Sequence, residues 1–554
     1  MKKNILGLVF FMIAVQVAAQ QKKADKIVIG KIWTGNPAQP WAEAMCFSGE
    51  HILALGTSKE LAPYVGSKTI EITTPAQGIV VPGFIDSHTH FIDGGLKLSG
   101  VQLREAMTKA EFIKRIGDFA KTLQPGEWIT GGSWDHQNWG GELPEKSWID
   151  SVTKGNPVYI NRLDGHMLLA NSVALKLAGV NDQVKEMEGG EIIRKDGRIT
   201  GLLKDNAKSL VNDVMPQPSA KRKEEALKAA MAYVASNGVT SISSLTGTGF
   251  GDYFDVYQAG KAKGLLITRI NAVSELENCA KLASFIKKNG AGDQWLRYGG
   301  VKGFVDGSLG SHTAAFLKPF TDAPADSGFF VITEKLLYSR MKSADSLGLQ
   351  LLIHAIGDRS IHSLLGQFEK LEQENGKKDR RIRMEHAQHI LPADFPRFTK
   401  LNVIASVQPY HAIDDGRWAE KIIGHERAKS TYAFRSLIDA GTKLSFGSDW
   451  FVAPASPLLG IYAAVTRRTI DDQNPEGWIP EQKITVEEAL KGYTINAAYA
   501  TFEEKLKGSL EKGKLADFVI LEQDITKLEP VKIKEVKVLS TFVGGKEVYH
   551  QEEK

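Results

Sequence analysis

Eight short runs rich in apolar and β-branched residues punctuate the middle of the chain, at 78–88, 239–245, 266–273, 301–306, 349–354, 381–386, 403–408 and 443–449. Stretches of helical character separate them, which predicts parallel strands joined by crossover helices. Eight such strands is the number that closes a (β/α)8 barrel, an α/β fold whose active-site groups sit at the C-terminal strand ends. The chain ends follow another pattern. Short alternating runs broken by glycine occupy 26–80, and similar runs at 517–521 and 537–543 precede Gly544 and Gly545. Both ends are therefore expected to join in one small β-sandwich. The interval 98–237, between the first and second barrel strands, is too long for a single crossover helix and predicts an inserted cap or lid. It holds Trp128, Trp134, Trp139 and Trp148, which could line a substrate cavity or form the core of the insert.

The first residues read as a secretory signal: Lys2 and Lys3, an apolar run over 5–17, then Ala18 and Ala19. The expected organisation is thus a signal peptide at 1–19, sandwich strands at 20–80, a barrel at 81–500 carrying the insert, and the remaining sandwich strands at 501–554. Export to the periplasm or beyond follows, with no stable membrane span once the leader is removed. Lys2 and Lys3 belong to the formal net charge of +4, so the mature chain would carry +2 with its bases scattered among acids. That pattern argues against a nucleic-acid partner. With 42% hydrophobic and 24% charged residues the chain is an ordinary globular one, and its two cysteines, Cys46 and Cys279, cannot form a disulfide framework. Homo-oligomerisation is left open.

Chemistry concentrates at the strand ends. The first barrel strand closes on His88-Thr89-His90, and residues two apart in extended backbone project to one side, so both imidazoles can meet one metal ion. Three later strands end in His354, His386 and Asp449. Any one of these has an ordinary structural reading, but four strands ending in metal-competent groups point to a shared site. Lys302 lies within the fourth strand, where a lysine costs desolvation unless something compensates it. Lys204 and His389 are weaker rivals to Lys302 and His386. His166, in the insert, is a candidate for substrate binding or oxyanion stabilisation, and Asp306, Ser308 and Gln408 are candidates for substrate contacts.

With these motifs the chain resembles the amidohydrolase superfamily, in the metal-dependent branch that includes N-substituted formamide deformylase. The resemblance spans nearly the whole mature chain. It rests on 82–90, on Asp164-Gly165-His166, on Val301-Lys302 with the Asp306 to Ser311 segment, on His354-Ala355-Ile356-Gly357-Asp358, Glu385-His386-Ala387, Ser406-Val407-Gln408-Pro409 and Gly447-Ser448-Asp449, and on the closing 508–517. It implies that His88, His90 and Asp449 hold one zinc, that His354 and His386 hold a second, and that Lys302 bridges them as a carbamate. It also implies hydrolysis of a carbon–nitrogen bond of a small-molecule amide by metal-activated water, with Asp449 as the general acid–base. An exocyclic N-formyl or N-acyl amide is the expected substrate. Opening of a cyclic amide or deamination of a ring would use the same scaffold, and a non-catalytic binding or regulatory protein could keep the fold.

Overall fold

The computed structural model describes residues 22–245 and 253–552, so the signal peptide expected over 1–19 lies outside the described residues. The eight barrel strands are β1 (Phe84–Thr89), β2 (Val239–Ser244), β3 (Arg269–Glu275), β4 (Leu296–Phe304), β5 (Gln350–Ala355), β6 (Arg383–His386), β7 (Ile404–Val407) and β8 (Leu444–Phe446). Each run anticipated from the hydrophobic pattern supplies one of them. Neighbours pair in parallel in chain order. Between β8 and β1 the ring is drawn together at its rim, where the Asp449 N–H donates to the His88 carbonyl at 2.7 Å and Thr89 bridges Trp450 in parallel. This is a (β/α)8 barrel.

The barrel interior below the site is polar. Arg383 on β6 is fully buried, donates to the Ser87 carbonyl, and reaches Ser406 Oγ at 3.1 Å. A buried guanidinium is tolerable because carbonyl, hydroxyl and carboxylate groups surround it.

The chain ends meet in one β-domain, hydrogen-bonded as a continuous eight-stranded sheet. In it Ile79–Pro82 pairs antiparallel with Phe518–Leu521, stitching the N-terminal strands to the C-terminal ones. Adjacent residues serve opposite faces: Val28, Phe47 and Phe518 pack in one apolar cluster, Ile27, Ala44 and Cys46 in another. Asp517 pins this domain to the barrel, accepting from Arg269 Nε on β3 at 2.7 Å with both side chains buried. Cys46 and Cys279 are both free and buried.

The insert builds a six-stranded sheet of its own within 101–205. Its tryptophans belong to its core. Trp134 is fully buried, Trp139 and Trp148 pack against the same cluster, and Trp128 packs against a second. The helix Ala220–Ser236 sends Leu227, Met231 and Val234 into the barrel core, so the insert ends before this helix and not near 237. Among the described residues no helix is long and apolar enough to cross a membrane.

Candidate metal centre

β1 carries the residue that anchors the site, one position before the strand's end. His88 is fully buried, and its Nδ1 lies 2.7 Å from Glu385 Oε2 on β6. A proton on Nδ1 shared with that carboxylate leaves Nε2 as the free lone pair. Nε2 approaches Asp449 Oδ1 to 3.3 Å, and His90 Nε2 approaches the same oxygen to 3.2 Å. His386 completes the group: ligand atoms of His88, His386 and Asp449 all lie within 4.8 Å of one another. Its Nδ1 is engaged by Gln408 Oε1 at 2.9 Å, which directs Nε2 inward. The His354 ring sits 4.4 Å from that of His386, and its Nε2 donates to the Gly307 carbonyl at 2.9 Å.

Two of these residues leave ordinary strand geometry. His386 (φ 72°) and Asp449 (φ 58°) are left-handed although neither is glycine. Such conformations cost on the order of 1–3 kcal/mol each and persist where the surrounding structure enforces them. Here they aim two strand-end side chains at a common point.

The electrostatics favour lone pairs over protons. Burial, followed by the nearby Lys302, pushes His88 down to about 4, and burial holds His354 and His386 well below the usual imidazole range. Burial alone would raise Asp449, but His88 and His90 outweigh it and keep the carboxylate ionised. Glu385 is likewise lowered, with burial opposed by Arg383 and His88. Burial lowers Lys302 to about 8.

These residues fit a divalent cation. Although 3.3 Å apart, His88 Nε2 and Asp449 Oδ1 are buried and make no hydrogen bond, and neither does Lys302 Nζ. A buried polar atom left so costs about 1–3 kcal/mol, and a nitrogen and oxygen donor set on a shared cavity suits zinc or a similar ion. As an ammonium Lys302 could not be a ligand; loss of its proton or conversion to a carbamate would make it one.

One cavity gathers His90, His166, Lys302, Ser308, His354, His386 and Asp449. His386, which the resemblance assigns to the second ion, also stands beside the first ion's ligands, since its ligand atom lies within 4.8 Å of those of His88 and Asp449. His166 is held through Nδ1 by Asp205 Oδ1 at 2.5 Å, and its ring lies 5.2 Å from His354. Burial disfavours its charged form, yet Asp205 raises its pKa above the ordinary value. Ser308 faces the cavity but donates to Asp164 Oδ2 at 2.5 Å.

Two expected substrate contacts are corrected. Asp306 is fully buried and accepts from the backbone N–H groups of Ala315, Ile356 and Gly357, so it folds the β4 and β5 loops together. Gln408 stands behind His386 as its orienting partner. The rivals also fall away: Lys204 pairs with Glu191 at 2.7 Å, and His389 bonds Thr431 Oγ1 at 2.8 Å. Residues not singled out from sequence include Glu385, and Arg162 and Trp418 on the cavity wall. The signal for Glu385 was present in the spacing of Arg383 and Glu385, two apart on a buried strand, which puts opposite charges on one interior face.

Residues 76–549 match the family model described as the amidohydrolase family. The chain is 40% identical over 538 residues to Protein LONG AFTER FAR-RED 3 of Arabidopsis thaliana, covering 95% of this chain and 92% of that one. It is 25% identical over 534 residues to N-substituted formamide deformylase of Arthrobacter pascens, covering 94% and 97%. Among solved structures it is similar to an uncharacterized metal-dependent hydrolase from Pyrococcus horikoshii OT3, with a TM-score of 0.73, 27% identity, and coverage of 91% of this chain and 99% of that one. On the strength of the family match and the site just described, the chain belongs to the amidohydrolase family.

Proposed function

We propose that this protein is an exported, zinc-dependent hydrolase that cleaves an exocyclic carbon–nitrogen bond of an N-formyl or N-acyl small molecule. The observation that carries the reading is the convergence of His88 Nε2, His386 and Asp449 Oδ1, two of these atoms buried without a hydrogen bond, on a cavity lined by further polar groups. The named activity of the Arthrobacter relative supports an amide substrate, and the leader pattern at the N-terminus supports export.

His88, His90, His386 and Asp449 would hold the first ion, with His354 and a carbamate on Lys302 serving a second. A divalent ion there supplies Lewis acidity toward a carbonyl oxygen and acidifies water at neutral pH. The chain's own groups do the rest. Asp449, kept ionised, takes a proton from the attacking water and returns it to the leaving nitrogen. His166, fixed through Nδ1 by Asp205, whose carboxylate favours the charged imidazole against the effect of burial, faces the cavity as the donor to the oxygen on which negative charge develops. Glu385 and Gln408 keep His88 and His386 from rotating away.

The test combines elemental analysis of protein purified without chelator with a panel of N-formyl, N-acetyl and N-acyl amines set against cyclic imides and aminated heterocycles. Stoichiometric zinc and chelator-sensitive cleavage of the open-chain amides are expected. Preference for the cyclic or aminated compounds would move the activity to ring opening or deamination, and absence of both metal and turnover would leave a binding protein.

A further inference from the structure

The reaction cavity is small, about 60 Å³, whereas a chamber of about 810 Å³ lies against it between the insert and the barrel. The two spaces share a wall: Lys302 and Phe304 on β4 line both. Asp205, which holds His166 on the reaction side, shows on the chamber side. A volume near 800 Å³ is that of a small-molecule site, while the smaller space takes an amide group and little beyond it.

The chamber's chemistry is selective. Met187 comes from the insert, Leu276 from the segment after β3, Phe304 from β4, and Val331 and Leu336 from the segment between β4 and β5. Several charged side chains on its lining are engaged by the protein: Arg340 pairs with Glu277 at 3.0 Å, Lys208 donates to the Gly165 carbonyl, and Asp205 serves His166, while Lys302 stands on the wall shared with the reaction cavity. What remains for a ligand is mainly apolar surface.

We propose that the large apolar substituent of the amide occupies this chamber, with Phe304 and Lys302 as the partition between it and the scissile bond. The proposal rests on the amidohydrolase reading above and adds the substrate class: an amide bearing an extended alkyl or aryl group. Adjacency to the reaction cavity points to the occupant: Lys302 and Phe304 line both spaces, and a substrate too large for about 60 Å³ reaches the chamber by passing these two side chains.

Reaction products bind without turnover, so calorimetric titration of the mature protein tests the chamber apart from catalysis. The probes are n-alkylamines and n-alkanoates from one to eight carbons, the first series placing the substituent on nitrogen and the second on the acyl carbon. In one series affinity should rise about threefold or more per methylene. Met187→Trp and Leu336→Trp fill the chamber from different elements, at half-buried and exposed positions. At least one should cut the octyl-to-methyl affinity ratio tenfold or more. Affinity independent of chain length in both series, or an unchanged ratio in both variants, overturns the proposal. If no amide is hydrolysed while the ratio behaves as stated, the activity reading fails and the chamber assignment stands.

Discussion

His88 and Glu385 form a fully buried pair, Nδ1 to Oε2 at 2.7 Å, linking β1 to β6 across the barrel interior. The carboxylate fixes which imidazole nitrogen faces the site, and the Arg383 Nε at 2.8 Å from Glu385 Oε1 keeps that carboxylate charged. Replacing such an orienting partner typically lowers metal affinity about 10–100-fold. Glu385→Gln is expected to lose metal in that range in a chelator competition while its far-ultraviolet circular dichroism is unchanged. Wild-type affinity in the variant would show that the pair does not orient the ligand.

Much of this architecture could be read from the chain because its signals are local. A parallel barrel strand is buried on both faces, so each of the eight appears as an apolar run, and a strand-end histidine such as His88 or His354 stands out against it. What could not be read depends on partners distant in sequence. Asp306 and Ser308 sit two apart in one loop, yet one ties down backbone of the next strand's loop and the other faces the cavity. Gln408 reads as a polar strand-end residue until His386, 22 positions earlier, is seen to be its partner. The helix Ala220–Ser236 has no marker of whether it caps the insert or packs on the barrel; only Leu227 and Val234 in the barrel core decide it.

Asp449 is the residue whose removal should separate binding from chemistry. General acid–base catalysis contributes about 10²- to 10⁴-fold to rate. Asp449→Asn keeps the volume and one oxygen donor, so kcat is expected to fall by that factor with the thermal midpoint lowered little and part of the metal retained. Turnover at the wild-type rate would remove Asp449 from the mechanism.

Asp306 should behave as a structural residue. Its carboxylate satisfies three buried backbone N–H groups, and each donor left without a partner costs about 1–3 kcal/mol. Asp306→Ala should therefore lower stability in denaturant titration by several kcal/mol, on the order of the sum of those losses. At temperatures where the variant stays folded, KM should change far less than stability. A large rise in KM with unaltered stability would restore Asp306 as a substrate contact.

Asp415, on the cavity wall but outside the ligand set, gives the chain a pH-dependent contribution to stability. Burial raises its carboxyl to about 7, with the Tyr432 hydroxyl at 2.5 Å opposing that shift and Asp414 adding to it. An unfolded aspartate ionises near 3.8, so the folded chain holds this proton more tightly. Its contribution to stability is fully present below about pH 4, declines as pH rises toward 7, and is lost above that value. Asp415→Asn removes this slope while keeping a polar group beside Tyr432 and Gln388. The difference in thermal midpoint, wild type minus variant, should fall steadily between pH 4 and 7 and level off at higher pH. A difference constant across that range would mean that the carboxyl titrates in the folded chain as it does in the unfolded one.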